Sequence, residues 1–204
     1  MNRKQHWEQV YNTKSVQEVS WYQNSPTISL NLIAKTGYDI TCPIIDVGGG
    51  ASNLVDSLLE QGYSNLSVLD ISSAAIKNTQ QRLGKLVNNV HWYAENITQF
   101  QTDSKFDIWH DRAVFHFLTT GEDRKSYLNT LDSQLSENGK VIIATFSLEG
   151  PTKCSDLPII QYDATKIQQE VQGILQLYHT VSEVHITPSQ KQQQFKYFCF
   201  KRVK

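Results

Sequence analysis

The run Ile44-Ile45-Asp46-Val47, followed by Gly48-Gly49-Gly50-Ala51-Ser52, constrains this chain more than any other feature. Its apolar start predicts a buried strand. Beyond the glycines, Leu54, Val55, Leu58 and Leu59 share one helical face that Gly62 ends as a C′ residue. A residue without Cβ reaches positive φ and lets other groups approach the main chain, while a helix start offers N–H groups with no partner inside the helix. Asp70 closes the next apolar run, 24 residues after Asp46, near the offset of about 20 residues between such a turn and its acidic partner in a βαβ unit. Together these elements predict a cradle for a nucleoside, its ribose hydroxyls on the Asp70 carboxylate.

The glycine pattern separates two kinds of nucleoside. A dinucleotide site uses a third glycine for close helix–strand packing beneath the pyrophosphate, and Asn53 stands at that position. Asp46 would repel a pyrophosphate, yet its carboxylate suits a cationic amino-acid group. S-adenosylmethionine carries that group and no phosphate. Asp46, Gly48, Gly50 and Ser52 resemble the first motif of the class I (seven-β-strand) S-adenosylmethionine-dependent methyltransferases: an acidic residue, one residue, then G-x-G-x-G. Ser52 replaces the last glycine, a change that a helix-opening residue tolerates because Ser is a good N-cap. The resemblance implies an S-adenosylmethionine cofactor held by Asp46, Gly48, Gly49, Gly50, Asp70 and Ile71, with Asn96 and Ile97 at the adenine. The family usually has Asp where Asn96 stands. An amide oxygen still accepts a hydrogen bond, and Asn96 also reads as a local cap.

A chain of 204 residues with 39% hydrophobic and 19% charged content fits one globular domain. The expected division is an N-terminal helical lid over residues 1–40 and a sheet core over 43–204. A net charge of −1 gives no basic field for nucleic acid, and the one basic cluster, Lys201-Arg202-Val203-Lys204, reads as a solvated tail. Cys42, Cys154 and Cys199 are far apart and odd in number, which fits a reducing compartment. No zinc spacing occurs, so no metal is expected. No apolar run nears the roughly 20 residues of a membrane span, and the N-terminus lacks the apolar core of a targeting signal. The expectation is a cytoplasmic protein with neither DNA nor membrane as partner.

Apolar runs alternate with helical patterns from residue 43 to 146, as in a parallel α/β sheet covered on both faces. Strands are expected over Pro43–Val47, Leu66–Leu69, Val90–Tyr93, Phe106–Trp109 and Val141–Phe146. Ser72 is the expected N-cap of a helix burying Ile76, Leu83 and Leu86, and another helix spans Glu122–Leu135. Ser147–Pro158 reads as a turn-rich loop containing a free Cys154. After a short helix with Ile167 and Val171, Leu175–Ile186 and Phe195–Arg202 read as an antiparallel hairpin. The resemblance implies the rest: a Rossmann-like, doubly wound, mostly parallel seven-stranded sheet of order 3-2-1-4-5-7-6.

Ligands of such sheets sit at the carboxyl ends of the strands, and the densest polar cluster there is His110-Asp111-Arg112-Ala113-Val114-Phe115-His116-Phe117. Asp111-Arg112-Ala113 resembles an acidic-basic-small triplet in the eukaryotic elongation-factor and mitochondrial lysine methyltransferases of this fold. Trp7, Tyr11 and Tyr22, spaced W-x3-Y-x10-Y, resemble that group's aromatic segment, which folds over the cofactor. A sulfonium over a π face gains about 0.5–2 kcal/mol. The resemblance implies cofactor contacts for Trp7, Tyr11, Tyr22 and Arg112. Asp111, His110 and His116 are candidates for the base that an acceptor arriving protonated needs, although His116, flanked by Phe115 and Phe117, reads equally as a core histidine. The Asn-Pro-Pro-Tyr motif of amino-methyltransferases is absent, which disfavours a DNA base. The methyl acceptor stays open between a small molecule and a protein lysine, and the alternative function is a non-catalytic nucleoside-binding domain of the same fold.

Overall fold

The computed structural model describes residues 2–203; Met1 and Lys204, the ends of the expected domain, lie outside them. Five strands, β1 (Ile44–Val47), β2 (Leu66–Leu69), β3 (Val90–Tyr93), β4 (Phe106–Arg112) and β5 (Leu135–Phe146), run parallel in the sheet. Every residue of β1 and β2 is buried, because helices cover both faces and leave no solvated side to alternate with. Side chains accordingly alternate between two cores. Ile44 and Ile142 pack with Leu54 and Leu58 of α3 (Leu54–Glu60), while Ile45, Ile143 and Trp109 pack with Leu131 of α5 (Gly121–Gln134) on the other side.

A short hairpin, β6 (Lys153–Cys154) and β7 (Leu157–Pro158), stands outside the sheet, and β8 (Leu175–Ile186) and β9 (Gln192–Arg202) complete it. The order is β3-β2-β1-β4-β5-β9-β8, with β9 antiparallel to both neighbours. With the outlying hairpin uncounted, this is the expected 3-2-1-4-5-7-6. That hairpin replaces the expected loop: Ser155 and Asp156 take φ of 48° and 63°, the mirror-image turn that suits a two-residue connection.

Other departures have local causes. Leu86 is 46% exposed rather than buried, because α4 (Ser73–Leu83) stops at Gly84, which adopts φ +56° and diverts the chain into a 3-10 turn. β4 runs three residues past Trp109 to Arg112, paired with β5 through Ala144. β9 begins at Gln192, since Gln192–Gln194 pair with Val184–Ile186. Arg202 is no solvated tail: its guanidinium donates to the Leu135 carbonyl at 2.7 Å and to Asp132 at 2.6 Å. Ahead of the sheet, α1 (Arg3–Thr13) and α2 (Thr27–Ala34) lead across its carboxyl edge. Asn2 caps α1 in a reciprocal box with Gln5. α6 (Ala164–Glu170) precedes β8.

Candidate functional site

The three glycines between β1 and α3 are each required by a neighbour. Gly48 holds φ +74°, and a Cβ there would lie 2.1 Å from Val114 Cγ2. On Gly49 it would meet Asp46 Oδ2 at 2.2 Å, and on Gly50 it would meet the Asp70 side chain at 2.7 Å. The turn is thus clasped between two carboxylates. The Gly50 N–H donates to Asp70 Oδ2 at 3.1 Å, and the Ser72 N–H to Asp70 Oδ1 at 2.8 Å. Burial, with Asp46 and Glu8 nearby, pushes the Asp70 carboxyl up to about 6 against the pull of those N–H groups.

Asp46 is anchored from below. Its Oδ1 lies 2.7 Å from His110 Nδ1, and His110 Nε2 lies 2.9 Å from the Ser29 hydroxyl on α2. All three residues are buried, and Asp46 Oδ2 has no hydrogen-bond partner. Asp46 lines a cleft of about 520 Å³ together with Gly49, Ser52, Tyr22 and Arg112. A second cleft, about 760 Å³ with its open mouth, lies over β1, β2 and β4. Asp70, Ile71, Glu95, Asn96 and Ile97 wall its β2–β3 end; Trp7, Trp21, Arg112, Phe117 and Cys154 wall its β4–β5 end. Asn96 also accepts the Thr98 N–H at 3.1 Å, the local cap read as its alternative.

α1 closes over this cleft. Trp7 meets Trp21 and Phe117 edge to face, centroids 5.4 and 5.1 Å apart, and Tyr11 meets Trp21 at 6.2 Å. A polar latch holds the helix down: Glu8 accepts the N–H groups of Ser73 and Ala74, at 2.7 and 3.0 Å, and the Ser72 hydroxyl at 3.0 Å. Partial burial raises the Glu8 carboxyl, but those three donors outweigh it and hold it below its ordinary value. Arg3 pairs with Asp123 on α5 at 2.7 Å, and His6 reaches the Ser155 hydroxyl of the outlying hairpin at 3.2 Å.

The expected proton acceptors are not assembled in the larger cleft. Asp111 is fully buried beneath the chain, its carboxylate accepting N–H groups from Val114 at 2.8 Å and Phe115 at 3.1 Å and the Tyr127 hydroxyl at 2.8 Å. Burial raises it to about 6. Its geometry ties β4 to the turn that turns Val114 and Phe117 toward the cleft. His116 is also fully buried, accepting the Phe146 N–H at 3.3 Å with its ring against Phe117 and Phe146; burial and the Arg112 charge depress it to about 3. His110 serves Asp46 instead. The three candidates for a base thus lie outside the lining of the larger cleft: Asp111 and His116 in the core, and His110 against Asp46 and Ser29 beneath the glycine turn.

Arg112 bridges the two clefts. Nε donates to the Tyr197 hydroxyl at 3.0 Å, Nη1 to the Trp21 carbonyl at 3.1 Å, and the guanidinium carbon sits 4.4 Å from the Phe195 ring centroid. Trp21, Glu8, Ser29 and Tyr197 escaped the sequence reading. Glu8 carried a faint signal, lying three residues before Tyr11 on one helical face. Ser29 and Tyr197 meet His110 and Arg112 across 81 and 85 residues, and the Trp21 carbonyl meets Arg112 across 91. Among the described residues no cluster of three or more His, Cys, Asp or Glu side chains could hold a metal.

Comparison with known proteins agrees with this architecture. Residues 39–199 match the family described as a methyltransferase domain. Malonyl-[acyl-carrier protein] O-methyltransferase 2 of Ilyobacter polytropus is 29% identical over half of this chain and 39% of its own length. EEF1A lysine methyltransferase 2 of Danio rerio is 30% identical over half of this chain and 47% of its own. The chain thus spans less than half the length of these two relatives. The crystal structure of an S-adenosylmethionine-dependent methyltransferase from Anabaena variabilis superposes with a TM-score of 0.77 at 12% identity, covering all of this chain and 96% of the other, a likeness of fold.

Proposed function

The chain belongs to the methyltransferase-domain family, and from that premise we propose that it is an S-adenosylmethionine-dependent methyltransferase acting on a small-molecule or protein acceptor. The observation that carries the reading is the glycine turn clasped between Asp46 and Asp70, with the Asp46 Oδ2 oxygen buried and unpaired in a residue that lines a cleft. This donor set fits the cofactor. An unpaired buried carboxylate oxygen calls for a cation, which suits the ammonium of the methionine moiety, and the same charge argues against a pyrophosphate. Asp70 would meet the ribose hydroxyls, and Ile71, Asn96 and Ile97, which line the same cleft, would enclose the adenine.

When bound, S-adenosylmethionine supplies an electrophilic methyl on a sulfonium, transferred by in-line displacement. The chain's residues contribute alignment and a dry, aromatic enclosure. Trp7 and Tyr11 on α1 and Tyr22 after it form a lid over residues 1–40 that closes on the core at 43–204, with Glu8 as its latch. His110 and Ser29 fix the Asp46 carboxylate, and Asp111 fixes the turn behind Arg112. The acidic net charge disfavours DNA as a partner. Three buried free cysteines support a cytoplasmic setting, and no helix among the described residues is long and apolar enough to cross a membrane. Release of S-adenosylhomocysteine across an acceptor panel tests the reading. Turnover with any acceptor supports it, whereas tight cofactor binding without turnover favours the non-catalytic alternative.

A further inference from the structure

We propose that the open edge of the sheet, strand β8, is the contact of a weak symmetric dimer in which Thr180–Ile186 of two copies pair antiparallel. β8 ends the sheet, with β9 as its one neighbour. Residues of an antiparallel ladder alternate between aiming their N–H and C=O at the neighbouring strand and away from it. Two bonds fix the phase of that alternation. The Thr187 N–H donates to the Lys191 carbonyl at 2.9 Å, so Thr187 faces β9's end of the hairpin. Gln194, opposite Val184, gives its carbonyl to the Ser147 N–H at 2.9 Å just past β5, so the Val184 groups are turned away from β9. Counted by twos from Val184, the residues Thr180, Ser182, Val184 and Ile186 present their backbone groups to the open side. Among the described residues no other backbone group pairs with them.

The start of the same edge is protected. Gln168 on α6 donates to the Leu175 carbonyl at 3.0 Å and accepts the Leu177 N–H at 2.8 Å. A register shift between Leu177 and His179 then separates this capped end from the open one. Free edges are commonly blunted by lysine or proline, yet Leu175–Ile186 contains no Lys, Arg or Pro. Its one acid, Glu183, is committed within the chain, accepting from Gln23 Nε2 at 2.8 Å and the Tyr197 hydroxyl at 2.9 Å. Val184 and Ile186 are instead 58% and 48% exposed. Among the described residues seven large apolar side chains are exposed, and Tyr178, Val184 and Ile186 place three of them on this strand.

A second copy is the occupant that fits. About a two-fold axis at Glu183, Thr180 and Ser182 of one copy face Ile186 and Val184 of the other, and the outward groups of both strands close about eight hydrogen bonds. The side chains brought opposite each other are uncharged, and the two Val184 side chains become diagonal neighbours. Glu183 meets its twin at the axis, where its own Arg112, 3.6 Å away, offsets the like charge. The second strand arrives already ordered, whereas a free peptide adding to this edge first gives up its chain entropy. Contact through one strand from each copy lies at the small end of specific interfaces, below about 1,200 Å², which makes the dimer weak and concentration-dependent.

Sedimentation velocity of the full chain from about 1 to 200 µM is the test, with amide exchange over Thr180–Ile186 followed across the same range. The expected result is a reversible shift from monomer to dimer, with exchange in that stretch slowing in step. Val184→Lys sets two ammonium groups beside the axis, and Val184→Pro removes an outward N–H while leaving the bonds to β9 whole. Each should raise the dimer dissociation constant at least about tenfold, with circular dichroism reporting that the fold is kept. Leu86→Lys, at a site 46% exposed and away from β8, should leave the constant unchanged. A chain that stays monomeric over the whole range, a dimer that survives both folded Val184 variants, or one that Leu86→Lys weakens as much would overturn the proposal. A monomeric chain whose Thr180–Ile186 amides are slowed by an added lysine-containing peptide would also overturn it and make the edge a site for an extended acceptor.

Discussion

Replacing Glu8 by Ala removes the latch while leaving every aromatic of the lid in place. The carboxylate accepts two N–H groups and one hydroxyl at the start of α4, at 2.7, 3.0 and 3.0 Å. A side-chain cap is worth about 0.5–2 kcal/mol, and a negative charge at a helix start adds about 0.3–1 kcal/mol. Water reaches this partly exposed site and replaces part of what is lost, so about 1–2 kcal/mol is the appropriate scale. Where the cofactor binds the closed lid, that loss weakens affinity for S-adenosylhomocysteine by at most about 5–30-fold. Glu8→Gln should fall between, since an amide oxygen accepts without charge. Calorimetry gives the affinities, and hydrogen exchange over Arg3–Thr13 gives the lid, whose amides should exchange faster in Glu8→Ala. Because the Glu8 carboxyl is held below its ordinary value, its contribution is present above the unfolded pKa and is lost as pH falls through the folded one, so wild type and variant should converge in acid. Equal affinity and equal exchange in Glu8→Ala at neutral pH would refute the latch.

Three further outcomes follow from the buried carboxylates. Gly49→Ala places a Cβ 2.2 Å from the Asp46 carboxylate and should cost about 1–3 kcal/mol in denaturant unfolding together with most cofactor affinity; a variant with wild-type stability and binding counts against the clasp. Asp111→Ala strands the Val114 and Phe115 N–H groups and the Tyr127 hydroxyl and should lower stability by about 2–4 kcal/mol, while Asp111→Asn keeps substantial kcat. A loss of kcat by about a thousandfold in a stable Asp111→Asn would restore Asp111 as the base. Burial raises Asp111 to about 6, so the folded state holds that proton more tightly than the unfolded chain. Its stabilising effect is complete below about pH 4 and is lost as pH rises through about 6, a swing on the order of 3 kcal/mol. Stability of wild type relative to Asp111→Asn should therefore decline between pH 4 and pH 7, and a constant difference would refute the assignment.

The residues that announced the site were those whose chemistry is local. The glycine turn, Asp46 and Asp70 were legible because turn, strand end and spaced acid lie within one βαβ unit, and the alternating apolar runs gave the strands for the same reason. The partners of the two histidines were not legible, because His110 meets Ser29 and Asp46 across 81 and 64 residues, while His116 lies in the core against Phe146, the alternative its flanking Phe115 and Phe117 had offered. The glycines were read as making room for a ligand, whereas each is also forced by a side chain that only the folded chain brings near. The outlying hairpin escaped because Ser155 and Asp156 at positive φ leave no glycine to mark the turn.

The cofactor site is the central claim, and calorimetric titration with S-adenosylmethionine and S-adenosylhomocysteine tests it most directly, with Asp70→Ala and Gly48→Val beside the wild type. The expected result is micromolar binding by the wild type, lost in both variants while circular dichroism keeps their fold. A folded wild type that binds neither compound, or variants that bind as tightly as it does, would contradict the account.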